Sequence, residues 1–433
     1  MNILLKNIDI ITADEAMKVV RKGSIGISGG MIEFVMEAGE DTGFFKADKV
    51  INGANKLAMP GLVNAHTHSP MTLLRNFADD LSLEDWLFKK VFPAEARLGP
   101  EDVYWGSMLG MAEMIRSGTT AFADMYFHMD GVAEAVCQAG IRANLSISPL
   151  RFVQGDPIDE TRTCYDYHRK WSTREESRIK VSLEVHSVYL FNEQNLRDAA
   201  ALAKELGIGI QIHVLETETE RRQSMERYGM NSAEICLECG IFDVPVIAAH
   251  CVHTSDSDME ILREKRVHVA HNPTSNLKLG SGIAKVPDML SKGINVCLGT
   301  DGAASNNNLD MFEEMNLAAL IHKGANRNPT LVGAADAVRM ATVNGAKALG
   351  FENETGCIRK GMRADIIILD TEKPHLCPVN NPVSAAVYSA HGMDVETVIV
   401  DGNILMEGRE LKTIDEELIR HKAGKTAQKI LGM

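Results

Sequence analysis

The sequence lacks the features that would direct a protein to a membrane or to nucleic acid. No apolar run approaches the roughly 20 residues that a membrane-spanning helix needs. Acidic residues outnumber basic ones, 59 to 45, so the net charge is −14, and an acidic chain repels phosphate backbones. We therefore expect no membrane or nucleic-acid partner, and a small-molecule substrate. Residues 1–9 also lack an apolar signal-peptide core, since Lys6 and Asp9 interrupt it, which predicts a cytoplasmic protein.

The sequence also has too few paired cysteines for a sulfur-ligated metal site. Eight cysteines are scattered over 433 residues, and only Cys236 and Cys239 have the C-x-x-C spacing. No second pair exists to complete a four-sulfur zinc site. A redox or zinc pair is one interpretation, but we favour two reduced thiols one turn apart on a helix.

The two ends of the chain share a pattern that the middle does not have. Residues 1–57 alternate short apolar runs with glycine and aspartate turns, which is typical of antiparallel strands. Residues 361–433 contain similar runs, and Asp401-Gly402 is a hairpin signal. We expect residues 1–57 and 361–433 to pair into one small β-sandwich domain, with residues 58–360 inserted between the two halves.

Residues 58–360 alternate short apolar strands with longer helical patterns. The predicted strands are Leu62–Ala65, Thr120–Asp124, Arg142–Ile147, Lys180–Val185, Gly209–Ile212, Val246–Ala249, Val267–Ala270 and Asn295–Leu298. Eight such strand–helix units predict an α/β fold, a closed (β/α)8 TIM barrel. In these barrels the chemistry lies at the C-terminal ends of the strands, so reactive residues should follow the strands.

Imidazoles and a carboxylate do follow these strands. They are His66 and His68 after strand 1, His186 after strand 4, His213 after strand 5, His250 after strand 6, His271 after strand 7 and Asp301 after strand 8. Residues two apart on a strand point to the same side, so His66 and His68 aim two imidazoles at one point. The pattern predicts a metal site, which we expect His271 to support without binding the metal.

Five spaced motifs resemble those of the amidohydrolase superfamily. The motifs are Pro60–His68, His213–Glu216, Ala249–Cys251, His271–Asn276 and Leu298–Asn306. The resemblance is strongest to the branch of aminohydrolases that includes the deaminases of 5-methylthioadenosine and S-adenosylhomocysteine. It implies hydrolytic deamination of an adenosine-type nucleoside to the inosine analogue and ammonia. S-adenosylhomocysteine and 5′-methylthioadenosine are the first substrate candidates, followed by 5′-deoxyadenosine and adenosine.

The resemblance also implies the roles of the residues at the strand ends. The predicted metal ligands are His66, His68, His213 and Asp301. Three neutral nitrogens and one carboxylate suit one Zn²⁺, with Fe²⁺ as the alternative. Some relatives hold two metals bridged by a modified lysine at the end of strand 4, but here the lysine of that strand, Lys180, is at its beginning, which predicts one ion.

The expected chemistry is attack at C6 of the purine by a metal-activated water. The resemblance implies that Asp301 takes a proton from this water, that His250 orients it, and that Glu216 protonates the ring nitrogen next to C6. We interpret Glu218 and Glu220 as solvated members of the same acidic run.

A segment after strand 1 is expected to shape the substrate pocket. Ser82 begins a capping box, and Pro93 should break or end the helix that follows. Trp86 and Glu95 are nine residues apart, so on one straight helix they would face opposite ways, at about 100° per residue. A break near Pro93 would let both face the pocket.

The resemblance implies that Trp86 packs on the substrate, that Glu95 binds the ribose hydroxyls and that His186 contacts the nucleoside. Arg151 and Arg162 are two candidates for gripping the carboxylate of an amino-acid tail, since a guanidinium binds a carboxylate through two hydrogen bonds. Relatives often assemble, so we expect a homo-oligomer.

Two other functions stay open at this point. The chain could be another member of the superfamily, such as a guanine or pterin deaminase or an s-triazine chlorohydrolase. It could also be a barrel that has lost catalysis and serves as a binding or structural subunit, although the complete ligand set and Glu216 argue against this.

Overall fold

The computed structural model describes residues 1–153, 156–172 and 178–432. In chain order the described strands are β1 Ile3–Ile11, β2 Val19–Ser28, β3 Met31–Met36, β4 Lys49–Asn52, β5 Lys56–Pro60, β6 Leu62–Thr67, β7 Thr119–Met125, β8 Arg142–Ile147, β9 Leu150–Val153, β10 Asp156–Asp159, β11 Ile179–Val185, β12 Gly209–Val214, β13 Val246–His250, β14 His268–His271, β15 Asn295–Leu298, β16 Ile366–Asp370, β17 Val395–Val400, β18 Asn403–Glu407 and β19 Glu410–Leu411.

The described α-helices are α1 Leu83–Trp86, α2 Phe92–Glu95, α3 Pro100–Arg116, α4 Met129–Ala139, α5 Thr161–Trp171, α6 Glu193–Leu206, α7 Glu218–Tyr228, α8 Ser232–Glu238, α9 Asp256–Glu264, α10 Pro273–Lys278, α11 Val286–Ser291, α12 Met311–Asn326, α13 Ala334–Met340, α14 Val343–Ala348, α15 Pro382–Tyr388 and α16 Glu416–Leu431. Among the described residues, no helix combines the length and apolar character required to cross a bilayer.

Eight parallel strands of the described chain form the barrel, in the order β6-β7-β8-β11-β12-β13-β14-β15. The predicted (β/α)8 barrel is thereby confirmed, and each predicted strand overlaps an observed one. β6 and β7 are buried along their whole length, as expected for parallel strands covered by helices. Small side chains such as Ala65, Ala121 and Ala270 occupy part of the buried interior, which leaves room for larger polar groups above them.

The first and last strands of the barrel meet through side chains. The Asn64 amide donates to Thr300 Oγ1 at 2.7 Å, and Asn64 Oδ1 accepts from the Thr300 N–H at 3.0 Å. The Asp301 N–H donates to the His66 carbonyl at 3.0 Å. This contact brings the end of β15 beside the end of β6, so residues far apart in sequence share one site.

Both ends of the chain contribute to the second sheet. Its nine strands within the described residues run in the order β19-β18-β17-β16-β5-β1-β2-β3, with β4 pairing with β1. β5 joins the two halves because it lies parallel to β1 and antiparallel to β16. This mixed sheet fits the predicted small β-domain built from both chain ends. The domain bounds, residues 1–57 with 361–433 and residues 58–360, stay predictions.

A buried ion cluster connects the barrel to the C-terminal strands. Arg142, at the beginning of β8, is 2% exposed. Its guanidinium donates to both oxygens of Asp365, at 2.9 and 3.1 Å. Asp365 Oδ1 also accepts from the Asp401 N–H at 2.7 Å. Removing one partner of such a pair leaves a buried charge uncompensated, which costs about 3–5 kcal/mol.

Candidate metal centre and active site

Four side chains from three barrel strands point at one position. The Nε2 atoms of His66 and His68 lie 3.4 and 3.3 Å from Asp301 Oδ1. His213 Nε2 is 3.3 Å from His68 Nε2. The structure thus places the four predicted ligands around a single point at the C-terminal end of the barrel.

Hydrogen bonds behind the rings turn their other nitrogens toward this point. His68 Nδ1 lies 2.6 Å from the Met125 carbonyl, and His213 Nδ1 lies 2.7 Å from the His186 carbonyl. Each Nδ1 must therefore donate, which leaves Nε2 with a lone pair for a metal. Asp301 Oδ2 accepts from Ser275 Oγ at 2.6 Å and from Ser305 Oγ at 2.7 Å, so that Oδ1 faces the histidines.

These donors fit a divalent cation. Within the described chain, the buried His66 Nε2 has no hydrogen-bond partner, although it is aimed at the other ligands. Three imidazole nitrogens and one carboxylate oxygen are a donor set that Zn²⁺ or Fe²⁺ accepts, with a coordination position left open for water.

The electrostatics of the site agree with this assignment. Burial lowers the pKa of His66 to about 4, so this ring is neutral at pH 7, as a metal ligand must be. Burial alone would raise the pKa of Asp301, but the adjacent His66 and His68 hold it well below its usual range. Burial would also lower the pKa of His68, but Asp301 raises it to about 9. The raised pKa of His68 shows that the carboxylate of Asp301 makes this position favourable for positive charge.

Glu216 and His250 lie beside the four ligands. Glu216 is 5% exposed, and its Oε1 is 4.0 Å from His250 Nε2. Burial raises the pKa of Glu216 to about 7, which suits a group that gives and takes a proton near neutrality. His250 Nδ1 is fixed 2.8 Å from Asn276 Oδ1. The arrangement places a carboxyl group and an imidazole side by side next to the four predicted ligands.

A buried aspartate holds the segment that carries His66 and His68. Asp124, near the end of β7, accepts from the Ser69 N–H at 2.7 Å, from Ser69 Oγ at 2.6 Å and from Thr67 Oγ1 at 2.9 Å. The sequence analysis did not single out Asp124. Its position near the end of a predicted strand is the signal that could have identified it.

A cavity of about 1380 Å³ opens from this centre. Trp86, Glu95 and His186 line it together with His68, His213, Glu216 and Asp301. Drug-sized ligands occupy pockets of roughly 300–1,000 Å³, so the cavity is large enough for a small-molecule ligand of that size.

The segment that carries Trp86 and Glu95 differs from the prediction at Pro93. Ser82 Oγ accepts from the Asp85 N–H at 3.3 Å, as the predicted N-cap requires. The helix does not break at Pro93, so that prediction is wrong. Instead, residues 87–91 form a π-helical turn, and α2 continues through Pro93 to Glu95. A π turn adds one residue to the turn and changes the direction of later side chains, so Trp86 and Glu95 both reach the cavity.

Several buried polar atoms of the cavity wall have no hydrogen-bond partner among the described residues. They are Trp86 Nε1, Glu95 Oε1, Tyr126 Oη and Glu184 Oε2. Buried polar groups are almost always paired, so these atoms suit contact with a ligand, and the Glu95 carboxyl and the Tyr126 hydroxyl also interact with each other. Burial raises the pKa of Glu95 to about 7 and that of Glu184 to about 8.

Tyr126 and Glu184 are further lining residues that the sequence analysis missed. Glu184 lies two residues before His186 on β11, so the two side chains share one face of the strand. That alternation was visible in the sequence and could have identified Glu184.

The two predicted arginines occupy different places. Arg151 lines the cavity, and its Nε donates to Glu160 Oε1 at 3.1 Å. Arg162 is exposed on α5 and does not belong to the described cavity lining. Residues 154–155 of the intervening loop lie outside the described residues. The binding of a substrate carboxylate by either arginine stays a prediction.

His271 and the cysteine pair lie apart from the ligands. His271 is buried, and its Nε2 is 3.3 Å from His322 Nε2, so its supporting role also stays a prediction. Cys236 and Cys239 are buried free thiols on and next to α8, consistent with the reduced-thiol interpretation.

Three comparisons place these features among known proteins. Residues 57–405 match the model of the Amidohydrolase family. A 5-methylthioadenosine/S-adenosylhomocysteine deaminase from Acetivibrio thermocellus is 62% identical over 431 residues, which cover 100% of both chains. A 5′-deoxyadenosine deaminase from Methanosarcina mazei is 46% identical over 99% of this chain and 98% of its own. The crystal structure of an adenosine deaminase from Xanthomonas campestris with bound zinc has a TM-score of 0.96 and 31% identity, covering 100% of this chain and 99% of that one.

Proposed function

The chain belongs to the amidohydrolase family, and we propose that it hydrolyses the amino group from an adenosine-type nucleoside, with 5′-methylthioadenosine and S-adenosylhomocysteine as the first candidates. The products would be the inosine analogue and ammonia. One observation carries the reaction type: Glu216 lies beside a cluster of histidines and one aspartate that could hold a metal ion, at the wall of a cavity of about 1380 Å³. The substrate class is supported by full-length relatives whose names specify deaminases of adenosine derivatives.

His66, His68, His213 and Asp301 would hold one Zn²⁺, with Fe²⁺ as the alternative. The support is the unpartnered Nε2 of His66 and the mixed nitrogen and carboxylate donor set. The bound cation would make a water molecule nucleophilic at neutral pH. Metal analysis of the purified protein tests this assignment, with one equivalent of zinc or iron expected.

The protein's own residues would move the protons. Asp301 takes one proton from the attacking water, and His250 orients that water by a hydrogen bond. Glu216 gives its proton to N1 of the purine as the oxygen adds to C6, so that the ring gains a tetrahedral carbon. The proton held by Asp301 then passes to the amino group, which leaves as ammonia, and Glu216 regains a proton from the C6 hydroxyl as the carbonyl forms. The raised pKa of Glu216, caused by burial, supports its role as the acid.

The cavity wall is suited to a sugar with free hydroxyls. Glu95 would accept hydrogen bonds from the ribose hydroxyls, His186 would contact the nucleoside, and Trp86 would pack on it. The unpartnered Tyr126 and Glu184 add further polar groups to the same wall. Free purine or triazine substrates have no sugar to satisfy these groups, which favours a nucleoside over the guanine, pterin and triazine alternatives.

The 5′ substituent would extend toward Arg151 or Arg162. An amino-acid tail ends in a carboxylate, which a guanidinium binds through two hydrogen bonds. Arg151 supports this placement because it lines the cavity. If neither arginine reaches the tail, methylthioadenosine or 5′-deoxyadenosine becomes the preferred substrate.

An ammonia-release screen tests the proposal directly. It compares adenosine, methylthioadenosine, S-adenosylhomocysteine, 5′-deoxyadenosine, guanine and cytosine under one set of conditions. We expect release from the adenosine derivatives and little from guanine or cytosine. Release from guanine alone would favour the alternative deaminase, and the absence of both metal and ammonia would favour a non-catalytic barrel.

We also infer a cytoplasmic enzyme that forms a homo-oligomer. Eight free cysteines, six of them buried, suit a reducing compartment. The oligomer is a prediction that light scattering on the purified protein tests.

A further inference from the structure

We propose that Glu220 is a positioning residue that fixes the backbone of Glu216 and thereby aims its carboxyl group at the substrate. The inference rests on the proposed function, in which Glu216 is the acid. It concerns a residue that the sequence alone suggests is solvated, since Glu220 belongs to the acidic run 216–220.

Glu220 is buried and accepts hydrogen bonds from two successive peptide N–H groups. It lies in the first turn of α7 and is 3% exposed. Its Oε1 accepts from the Leu215 N–H at 3.0 Å, and its Oε2 accepts from the Glu216 N–H at 2.7 Å. The Ser232 hydroxyl, on α8, donates to the same carboxylate. Charge-assisted bonds of this kind are about twice as strong as neutral ones.

These hydrogen bonds are important because the backbone between His213 and Glu216 does not follow the alternation of a regular strand. On a regular strand, residues three apart point to opposite faces. Here both His213 and Glu216 face the metal position. The reversal occurs at Leu215, whose φ is +52°, in the left-handed region that a non-glycine residue rarely adopts. The two N–H groups that Glu220 binds flank this strained residue.

The carbonyl groups of the same turn are fixed separately. The Val214 carbonyl accepts from the Cys251 N–H at 3.0 Å, and the Leu215 carbonyl accepts from the His253 N–H at 2.9 Å. These bonds connect the turn to the residues that directly follow His250, the last residue of β13. Glu220 therefore holds the two N–H groups of the turn. Substituting Glu220 leaves the hydrogen bonds to the two carbonyl groups intact. The chain should remain folded while Glu216 loses its fixed direction.

Substitution Glu220→Gln tests the proposal with little change of shape. A glutamine amide replaces one of the two acceptor oxygens with an NH2 donor, so one of the two N–H groups would face a donor and lose its bond. We expect kcat for methylthioadenosine to fall about 100-fold, the cost of displacing a catalytic group by roughly 1 Å. KM should change by less than about threefold, because the acid acts mainly in the transition state, and the metal content should stay at one ion.

Glu218→Gln is the matched control. Glu218 is in the same helical turn, but its side chain is 62% exposed and contacts Arg221 and His253. We expect the kinetics of this variant to equal those of the unchanged enzyme. A kcat of Glu220→Gln within about threefold of the control would overturn the proposal, since a displaced acid must slow the chemical step.

A double-mutant cycle separates positioning from a merely structural role. In a Glu216→Gln background the acid is already absent, so adding Glu220→Gln should lower kcat by less than about threefold. An equal 100-fold loss in both backgrounds would overturn the proposal. If Glu220→Gln does not fold, Ser232→Ala replaces it, with a smaller fall in kcat expected and an unchanged kcat as the contradicting result.

A crystal structure of Glu220→Gln tests the placement without any substrate. We expect the Glu216 carboxylate to leave its place beside His250, and an unmoved Glu216 would overturn the proposal. Failure of the unchanged enzyme to release ammonia from any nucleoside would instead count against the proposed function alone.

Discussion

Replacing Glu95 with glutamine should weaken nucleoside turnover and, at the same time, stabilise the metal-free protein. Glu95 is 8% exposed, and its Oε1 has no partner among the described residues. In the proposed function it accepts hydrogen bonds from the ribose. A hydrogen bond to a charged group contributes about 1.5–3 kcal/mol, so losing the charge should lower kcat/KM for nucleosides about 10- to 150-fold.

The stability effect follows from the pKa of Glu95, which burial raises to about 7 from 4.5 in an unfolded chain. Because the folded protein holds its proton more tightly, stability falls as pH rises from 4.5 through 7. Above pH 7 the buried carboxylate costs about 3 kcal/mol, and below pH 4.5 it costs nothing. Glutamine stays neutral, so Glu95→Gln should raise Tm by several degrees at pH 8 and leave it unchanged near pH 4.5.

Thermal unfolding of metal-depleted protein is the appropriate assay, because a nearby cation would itself lower the pKa of Glu95. The control is Glu84→Gln, an exposed position of the same segment, for which neither kcat/KM nor Tm should change. An unchanged or lower Tm at pH 8, together with retained nucleoside turnover, would refute the reasoning. Turnover lost for nucleosides but retained for free bases would instead favour a base deaminase.

Glu216→Gln should lower kcat by about 10²–10⁴-fold, the usual contribution of a general acid, while metal analysis shows the ion retained; an active variant would contradict its role. His213→Ala should remove one ligand and reduce the metal bound after dialysis, and full occupancy would contradict the ligand assignment. Asp365→Ala removes the two-oxygen partner of the buried Arg142, which keeps only its longer contacts with Glu354 at 3.3 Å and Asp401 at 3.8 Å. It should lower the free energy of unfolding by up to about 3–5 kcal/mol with little change in kcat, as denaturant titration would show. Arg151→Ala should raise KM for S-adenosylhomocysteine more than KM for methylthioadenosine, and equal changes would exclude Arg151 from the tail.

The barrel could be predicted because each of its strands is recognisable from a few neighbouring residues in the sequence. Each strand is a short apolar run followed by a polar residue, and the eight predicted strands overlap the observed ones. Their reactive ends then had to meet, since the C-terminal ends of barrel strands share one rim. The pairing of the two chain ends was visible as two regions of similar pattern. Their strand order was not, because β5 joins β1 to β16 across about 300 residues of intervening chain.

The missed features depend on contacts that a sequence does not display. The π turn at 87–91 accommodates Pro93 without a break, and nothing in the local residues separates that outcome from a helix end. Glu220 lies in a run of acidic residues, yet it is buried and accepts hydrogen bonds from the Leu215 and Glu216 N–H groups and from Ser232. Which glutamate of such a run is buried depends on a backbone dihedral angle and on α8, and neither can be derived from spacing.

The central claim is that one cation held by three imidazoles and one carboxylate drives the deamination. Titrating Zn²⁺ into metal-depleted protein while recording ammonia release from methylthioadenosine tests it most directly. The rate should begin near zero and rise in proportion to added metal until one equivalent per chain is bound. Full activity without metal, or a rate that requires a second equivalent, would contradict the account.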